Sequence, residues 1–223
     1  MLLICDVGTT VLKAGLAGLD GTLEARVEVP VHLNDRAHPL HHEADANNWI
    51  SALGLAIAQL ELPRRGVLEA VVVSGNGPTL VPVGEGISPL DFALTWLDRR
   101  GVEEARLIAE VTGRYVDPTF YLPKALWIFR HRPEVYRRTR AFCTCPEFID
   151  YFLTGEACTV LPAEPFTPVR ALSISPRLCA SRSPRKVLSR DILPRRMPNF
   201  PSMWKSIGCI VISNSPEACI SDL

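Results

Sequence analysis

The stretch Ile4-Cys5-Asp6-Val7-Gly8-Thr9-Thr10-Val11-Leu12-Lys13-Ala14 constrains this chain most, because it sets one carboxylate, one glycine, two hydroxyls and a lysine on what reads as a tight β-hairpin. Leu2 to Cys5 is a short apolar strand that ends in Asp6, and Val11 to Leu19 returns as a second strand toward the turn Asp20-Gly21. The bend between them falls on Gly8-Thr9-Thr10. There a glycine lets the backbone come close to an anion, and exposed N–H groups and threonine hydroxyls donate to phosphate oxygens. The carboxylate at the strand end suits the water shell of Mg²⁺, and the whole suits a nucleotide triphosphate. It is not a Walker loop, which needs a lysine followed by Ser/Thr at the opening of a helix.

Beyond the hairpin, Leu23 to Val31 alternates as a third strand, and residues 32–44 read as a polar loop. Asp45 is placed to cap a helix in which Trp49, Ala52, Leu53, Ala56, Ile57 and Leu60 recur at helical spacing. Leu68 to Val73 is an apolar strand running into Ser74-Gly75, and Thr79 to Val83 is another. Helices are expected over Glu103 to Val111, closed by Thr112-Gly113, over Leu122 to Arg130, and over Pro146 to Leu153, closed by Gly155. Strands followed by helices predict an α/β chain with a mixed sheet flanked by helices.

The Asp-x-Gly-Thr-Thr hairpin resembles the first phosphate loop of the actin-like ATPase superfamily, and Lys13-Ala14 followed by Asp20-Gly21 narrows the resemblance to the FGGY family of carbohydrate kinases. Glu43-Ala44-Asp45 with Trp49, Val71-Val72-Val73-Ser74-Gly75, Trp96-Leu97-Asp98-Arg99-Arg100, Lys124-Ala125-Leu126-Trp127 and Phe152-Leu153-Thr154-Gly155-Glu156 follow in the family's order. The resemblance covers about residues 1–168 and implies an actin-like (ribonuclease H-like) N-terminal domain. It also implies ATP-dependent phosphorylation of a sugar or polyol, with ATP and Mg²⁺ as cofactors. Asp6 would serve Mg²⁺, Gly8, Thr9 and Thr10 the phosphates, and Lys13 the γ-phosphate charge. Members of the family carry a second actin-like domain with the adenine pocket, a second phosphate loop and an aspartate base. Nothing in residues 169–223 resembles these, so the chain by itself is expected to be inactive, with a complementing second domain as one candidate partner.

Two segments are candidates for the sugar. Ser74-Gly75-Asn76-Gly77-Pro78-Thr79 lies beyond the carboxyl end of a sheet strand, where ligands tend to bind, and Asn76 and Gly77 leave room for one. Xylulose kinases resembling this chain usually have Gln-Met-His at the positions of Asn76, Gly77 and Pro78, so a proline replaces a histidine, which puts xylulose itself in doubt. Asp98 could accept two hydrogen bonds from vicinal hydroxyls beside the indole of Trp96, which packs on the apolar face of a sugar. The competing reading makes Asp98 a helix cap with Arg99 and Arg100 as solvated charges. His38, His41, His42, Glu43 and Asp45 could be drawn as a metal cluster, but a polar loop gives them no fixed scaffold. Arg130 to Arg140 reads as a solvated basic face rather than a nucleic-acid patch.

The zero net charge conceals a break: residues 1–168 hold 15 Lys+Arg against 21 Asp+Glu, and residues 169–223 hold 9 against 3. The second part also carries ten serines and six prolines, and no helical or strand period survives long in it. It reads either as a basic arm for nucleic acid or an acidic partner, or as a disordered tail translated from a shifted or foreign reading frame; the latter also accounts for the abrupt loss of resemblance. The seven cysteines form neither a secretory disulfide pattern nor paired zinc spacing. No signal peptide or run of 18 apolar residues is present, so a membrane is not an expected partner and the cytoplasm is the expected location; nucleic acid is not expected either, since the basic run reads as a solvated face. The rivals to a kinase are a catalytically dead fragment with weak sugar binding and a non-sugar actin-like ATPase, though the latter has no reason to carry Trp96-x-Asp98-x-Arg100.

Overall fold

Alternation of large apolar and polar residues in the first strands dictates a sheet with one buried face. The computed structural model describes residues 1–35, 38–62, 68–155 and 210–213. In β1 (Leu2–Val7) the side chains of Leu3, Cys5 and Val7 are buried, while Ile4 and Asp6 point to the opposite face and are exposed. β2 (Val11–Ala17) repeats the pattern with Leu12, Ala14 and Leu16 inward and Lys13 outward, and β3 (Leu23–Pro30) pairs antiparallel with it.

The chain then makes β4 (Leu33–Asp35), β5 (His42–Ala44), α1 (Ala46–Gln59) and β6 (Ala70–Gly75). β6 lies parallel to β1, as its crossover through α1 requires. After it come β7 (Val81–Val83), a 3₁₀ turn at Glu85–Ile87, β8 (Ala93–Leu94), α2 (Val102–Thr112), α3 (Tyr121–His131), α4 (Pro133–Arg138), β9 (Ala141–Cys143) and α5 (Cys145–Thr154). The last described element, β10 (Ile210–Ser213), runs parallel to β6 at the sheet edge. The main sheet is therefore ordered β10-β6-β1-β2-β3, with two small sheets, β4-β5-β8 and β7-β9, beside it.

Helices α1 and α5 cover the apolar face of the main sheet. Trp49, Ala52, Leu53, Ala56 and Ile57 form the buried stripe of α1, spaced three and four residues apart as a helix demands. Asp45 caps α1 by accepting from the Asn47 amide at 2.9 Å. Helix α5 opens with a reciprocal capping box between Thr144 and Glu147 and closes on Gly155 at φ 74°. The two helices meet edge to face through Trp49 and Phe148, with ring centroids 6.3 Å apart. A second apolar cluster, Leu80, Leu94, Tyr121, Ala125, Ile128 and Val135, gathers under α3 and α4.

The mixed sheet, its flanking helices and the caps match the expectation from sequence. Segment 32–44, expected to be a loop, holds β4 and β5; strands of three residues are too short to show a period. The same brevity hid β8 and β9, and α4 is only six residues long. No helical or strand period survives long in the tail, and within it Ile210-Val211-Ile212, a β-branched apolar run, lies in β10. The remainder of 169–223 lies outside the described residues, and with it the expectations of disorder and of a shifted frame.

Candidate active site

The hairpin between β1 and β2 turns as tightly as its glycine allows. The Gly8 amide donates to the Val11 carbonyl at 2.9 Å, and a Cβ on Gly8 would sit 2.7 Å from that oxygen. Among the described residues neither the Thr9 nor the Thr10 amide donates to a backbone acceptor, which leaves both available to an anion. Asp6 stands directly opposite Lys13 in the β1–β2 register and opposite Ser74 in the β1–β6 register. One row of the exposed sheet face thus carries Lys13, Asp6 and Ser74, next to the turn.

The loop after β6 is fastened to this hairpin. The Asn76 amide and its Nδ2 both donate to the Val7 carbonyl, at 2.8 and 3.0 Å, and Nδ2 also reaches the Gly8 carbonyl at 3.4 Å. Thr79 donates its hydroxyl hydrogen to Asn76 Oδ1, which orients the amide. Gly75 permits the end of β6 to pack on the start of α5, since a Cβ there would lie 3.0 Å from Cys145 Sγ. Gly77 is exposed.

Trp96 reaches the hairpin from the other side: its Nε1 donates to the Thr9 hydroxyl oxygen at 2.8 Å, while 42% of the residue stays exposed. Asp98, expected to meet sugar hydroxyls, is 0% exposed. Its carboxylate accepts from Arg100 Nε at 2.9 and 3.0 Å, from Arg100 Nη2 at 2.7 Å and from the His42 amide at 2.8 Å. The Arg100 amide donates to the same group, as in a turn, but the helix that follows is capped at Gly101, so the capping alternative fails as well. Arg100 is buried rather than solvated; its Nη2 also binds Glu43 at 2.7 Å and its Cζ lies 4.7 Å from the Trp127 ring centroid. Burial pulls the Arg100 pKa down, but hydrogen bonding and charge from Asp98, then from Glu43, carry it above its ordinary value.

Residues 1–161 match the N-terminal domain of the FGGY family of carbohydrate kinases. The chain belongs to this family. It is 28% identical over 176 residues to the xylulose kinase of Staphylococcus epidermidis (strain ATCC 12228), an alignment that takes in 72% of this chain and 35% of that protein. The chain thus spans about a third of the length of the curated relatives it matches. A crystal structure of a xyloylose kinase from Brucella ovis superposes with a TM-score of 0.63 at 25% identity, covering 70% of this chain and 35% of that one. The xylulose kinase of Rhodospirillum rubrum, at 22% identity, shares the fold with a TM-score of 0.77 over 96% of this chain and 48% of its own. The architecture is the actin-like ATPase fold of the FGGY sugar kinases.

One residue whose role its type does not announce is Lys124. It is 0% exposed, and its Nζ donates to the Pro78 and Thr95 carbonyls at 2.7 Å each, tying the Asn76 loop to the Trp96 loop. Burial lowers its pKa to about 7. A neutral amine has two hydrogens, so it satisfies both carbonyls as an ammonium would. The sequence signal was its place on the inward stripe of α3 with Tyr121, Ala125 and Ile128. The drawn metal cluster is dispersed: His38 and His41 rings lie 4.2 Å apart, Glu43 binds Arg100 and Asp45 caps α1. No group of three or more His, Cys, Asp or Glu that could hold a metal occurs among the described residues. None of the described helices is long and apolar enough to cross a membrane.

Proposed function

We propose that this chain forms one wall of the active site of an ATP-dependent kinase acting on a sugar or polyol. The observation that carries this reading is Asn76: its amide bonds to the Val7 and Gly8 carbonyls hold the phosphate-type hairpin and the loop after β6 as one surface. An anion on the hairpin and a polyhydroxy ligand on the loop would therefore face each other. The Thr9 and Thr10 amides and hydroxyls donate to phosphate oxygens, and Lys13 adds positive charge one strand away. Asp6, a single exposed carboxylate at the strand end, fits a cation that keeps most of its water shell. Asp6 would hold Mg²⁺ through its water shell, and the bound cation would supply positive charge toward the transferring phosphoryl group.

On the sugar side the indole of Trp96 offers an apolar face, Gly77 leaves space, and Asn76 Oδ1 retains a lone pair for a hydroxyl. Asp98 serves this wall by holding the Trp96 loop through Arg100 and the His42 amide, not by touching the ligand. Pro78 brings no donor, and its carbonyl is taken by Lys124. D-xylulose, to which the name of the relatives points, is the first compound to test, with other ketoses, aldoses and polyols beside it because Pro78 supplies no donor. The general base is assigned to no described residue, and an ATP-dependent reading places the protein in the cytoplasm.

Calorimetric titration and a coupled ADP-release assay over this panel test the proposal. The 223-residue chain is expected to bind MgATP more weakly than micromolar, to lose that binding in Asp6→Ala, and to bind at least one panel member through Trp96. It is expected to release no ADP, because the chain spans 35% of a whole relative. Nucleotide binding indifferent to Asp6→Ala, or no binding across the panel, would overturn the reading.

A further inference from the structure

Trp96 and Thr9 are separated by 87 positions in the chain and joined by one hydrogen bond of 2.8 Å. Its direction is unambiguous, because an indole N–H only donates and a threonine hydroxyl has two lone pairs and one hydrogen. With one lone pair engaged by the indole, the Thr9 hydrogen remains for an outside acceptor. A hydroxyl that donates to an anion becomes a better acceptor, and one that accepts becomes a better donor.

Both ends of the link are held in place. The Trp96 loop is fixed by Lys124 on the Thr95 carbonyl, by the Thr95 hydroxyl and amide on the His42 carbonyl at 2.9 and 3.0 Å, and by the Asp98–Arg100 pair. The hairpin is fixed by Asn76 and by the Gly8–Val11 bond. A perturbation at the indole is therefore felt at the Thr9 oxygen instead of dissipating in loop motion.

We propose that the Trp96–Thr9 hydrogen bond couples sugar binding to phosphate binding, so that each ligand raises the affinity for the other. A sugar stacked on the exposed indole face restricts the ring to the orientation that donates to Thr9, and so readies the Thr9 hydroxyl for phosphate. Phosphate on the Thr9 hydroxyl strengthens its acceptance from the indole, and so fixes the ring against which the sugar packs. Linkage requires the two effects to be equal. This inference rests on the proposed sugar and phosphate walls and adds their communication.

The test is calorimetric titration of the full chain with D-xylulose, with and without saturating Mg²⁺–tripolyphosphate, and the reverse. Wild type is expected to bind each ligand about three- to tenfold more tightly in the presence of the other, the range of one net hydrogen bond. Trp96→Phe keeps an aromatic face but lacks the N–H, and Thr9→Val keeps the shape but lacks the oxygen. Each is expected to bring the coupling factor to one, and the double variant should lose nothing more. A factor of one in wild type, or undiminished coupling in Trp96→Phe, overturns the inference while the walls stand. If D-xylulose does not bind, the tightest-binding sugar or polyol of the panel replaces it; failure of wild type to bind Mg²⁺–tripolyphosphate, or any member of the panel, overturns the walls and the coupling together.

Discussion

Two regions joined by the Trp96–Thr9 hydrogen bond handle charge in opposite ways. On the hairpin, Asp6 and Lys13 lie on the exposed sheet face with no ion pair between them among the described contacts, and the turn amides beside them are unclaimed. Under the Trp96 loop, Asp98, Arg100, Glu43 and Lys124 are buried, and Asp98, Arg100 and Lys124 are enclosed by specific partners. Solvated charge is cheap to hold and free to meet a ligand; buried charge is costly unless paired, and once paired it fixes geometry. The hairpin leaves its charges open to solvent, as the proposed phosphate wall requires, and the charged core holds the Trp96 and Asn76 loops where they are.

The sharpest way to break this comparison is Arg100→Met. It strands the Asp98 and Glu43 carboxylates without their guanidinium, and urea unfolding should show a loss of about 3–5 kcal/mol. A loss below about 1 kcal/mol would mean the pair contributes little.

Lys124 comes next, through pH. Its folded-state pKa is about 7 against an ordinary 10.5, so between those values the unfolded chain holds a proton that the folded chain does not. Raising pH therefore favours the folded state in that window, by about 2 kcal/mol between pH 7 and 9. Above pH 9 the buried thiols act in the other sense: burial raises Cys5 from 9.0 to about 12 and pushes Cys145 up as well, so the unfolded chain ionises first. Unfolding titrations of wild type and Lys124→Met at pH 7 and 9 isolate the lysine. The rise should vanish in the variant, and a rise that persists would assign it elsewhere.

Thr144→Ala tests whether α5, whose start packs on the end of β6, depends on its cap; removing the capping hydroxyl should cost about 1 kcal/mol in the same assay. The smallest effect is expected on the hairpin itself. Asp6→Asn should change stability by less than about 0.5 kcal/mol while weakening Mg²⁺–tripolyphosphate binding severely. A large stability change there would place Asp6 with the structural charges and dissolve the contrast.

Much of the first region was legible because its information is local. A period of two in β1 and β2, Gly8 at a turn that tolerates no Cβ, and Asp45 and Gly155 at helix ends are statements about neighbours in sequence. Short strands such as β5 and β8 were not legible, since two or three residues carry no period and exist only by pairing. Asp98 could be singled out by type and motif, but not its burial, because a carboxylate beside two arginines reads equally well as solvated, capping or enclosed.

The sequence by itself determined the longer strands and helices in their order, the tight phosphate-type turn and membership of a kinase family, since these rest on local spacing and on motifs in fixed order. Only the tertiary structure decided which charges are buried and which stay exposed. Glu43 meets Arg100 across 57 positions, Lys124 meets Pro78 across 46, and Trp96 meets Thr9 across 87. A side chain turns inward when a partner from a distant segment compensates its desolvation, and that partner is specified by packing, which no local pattern records.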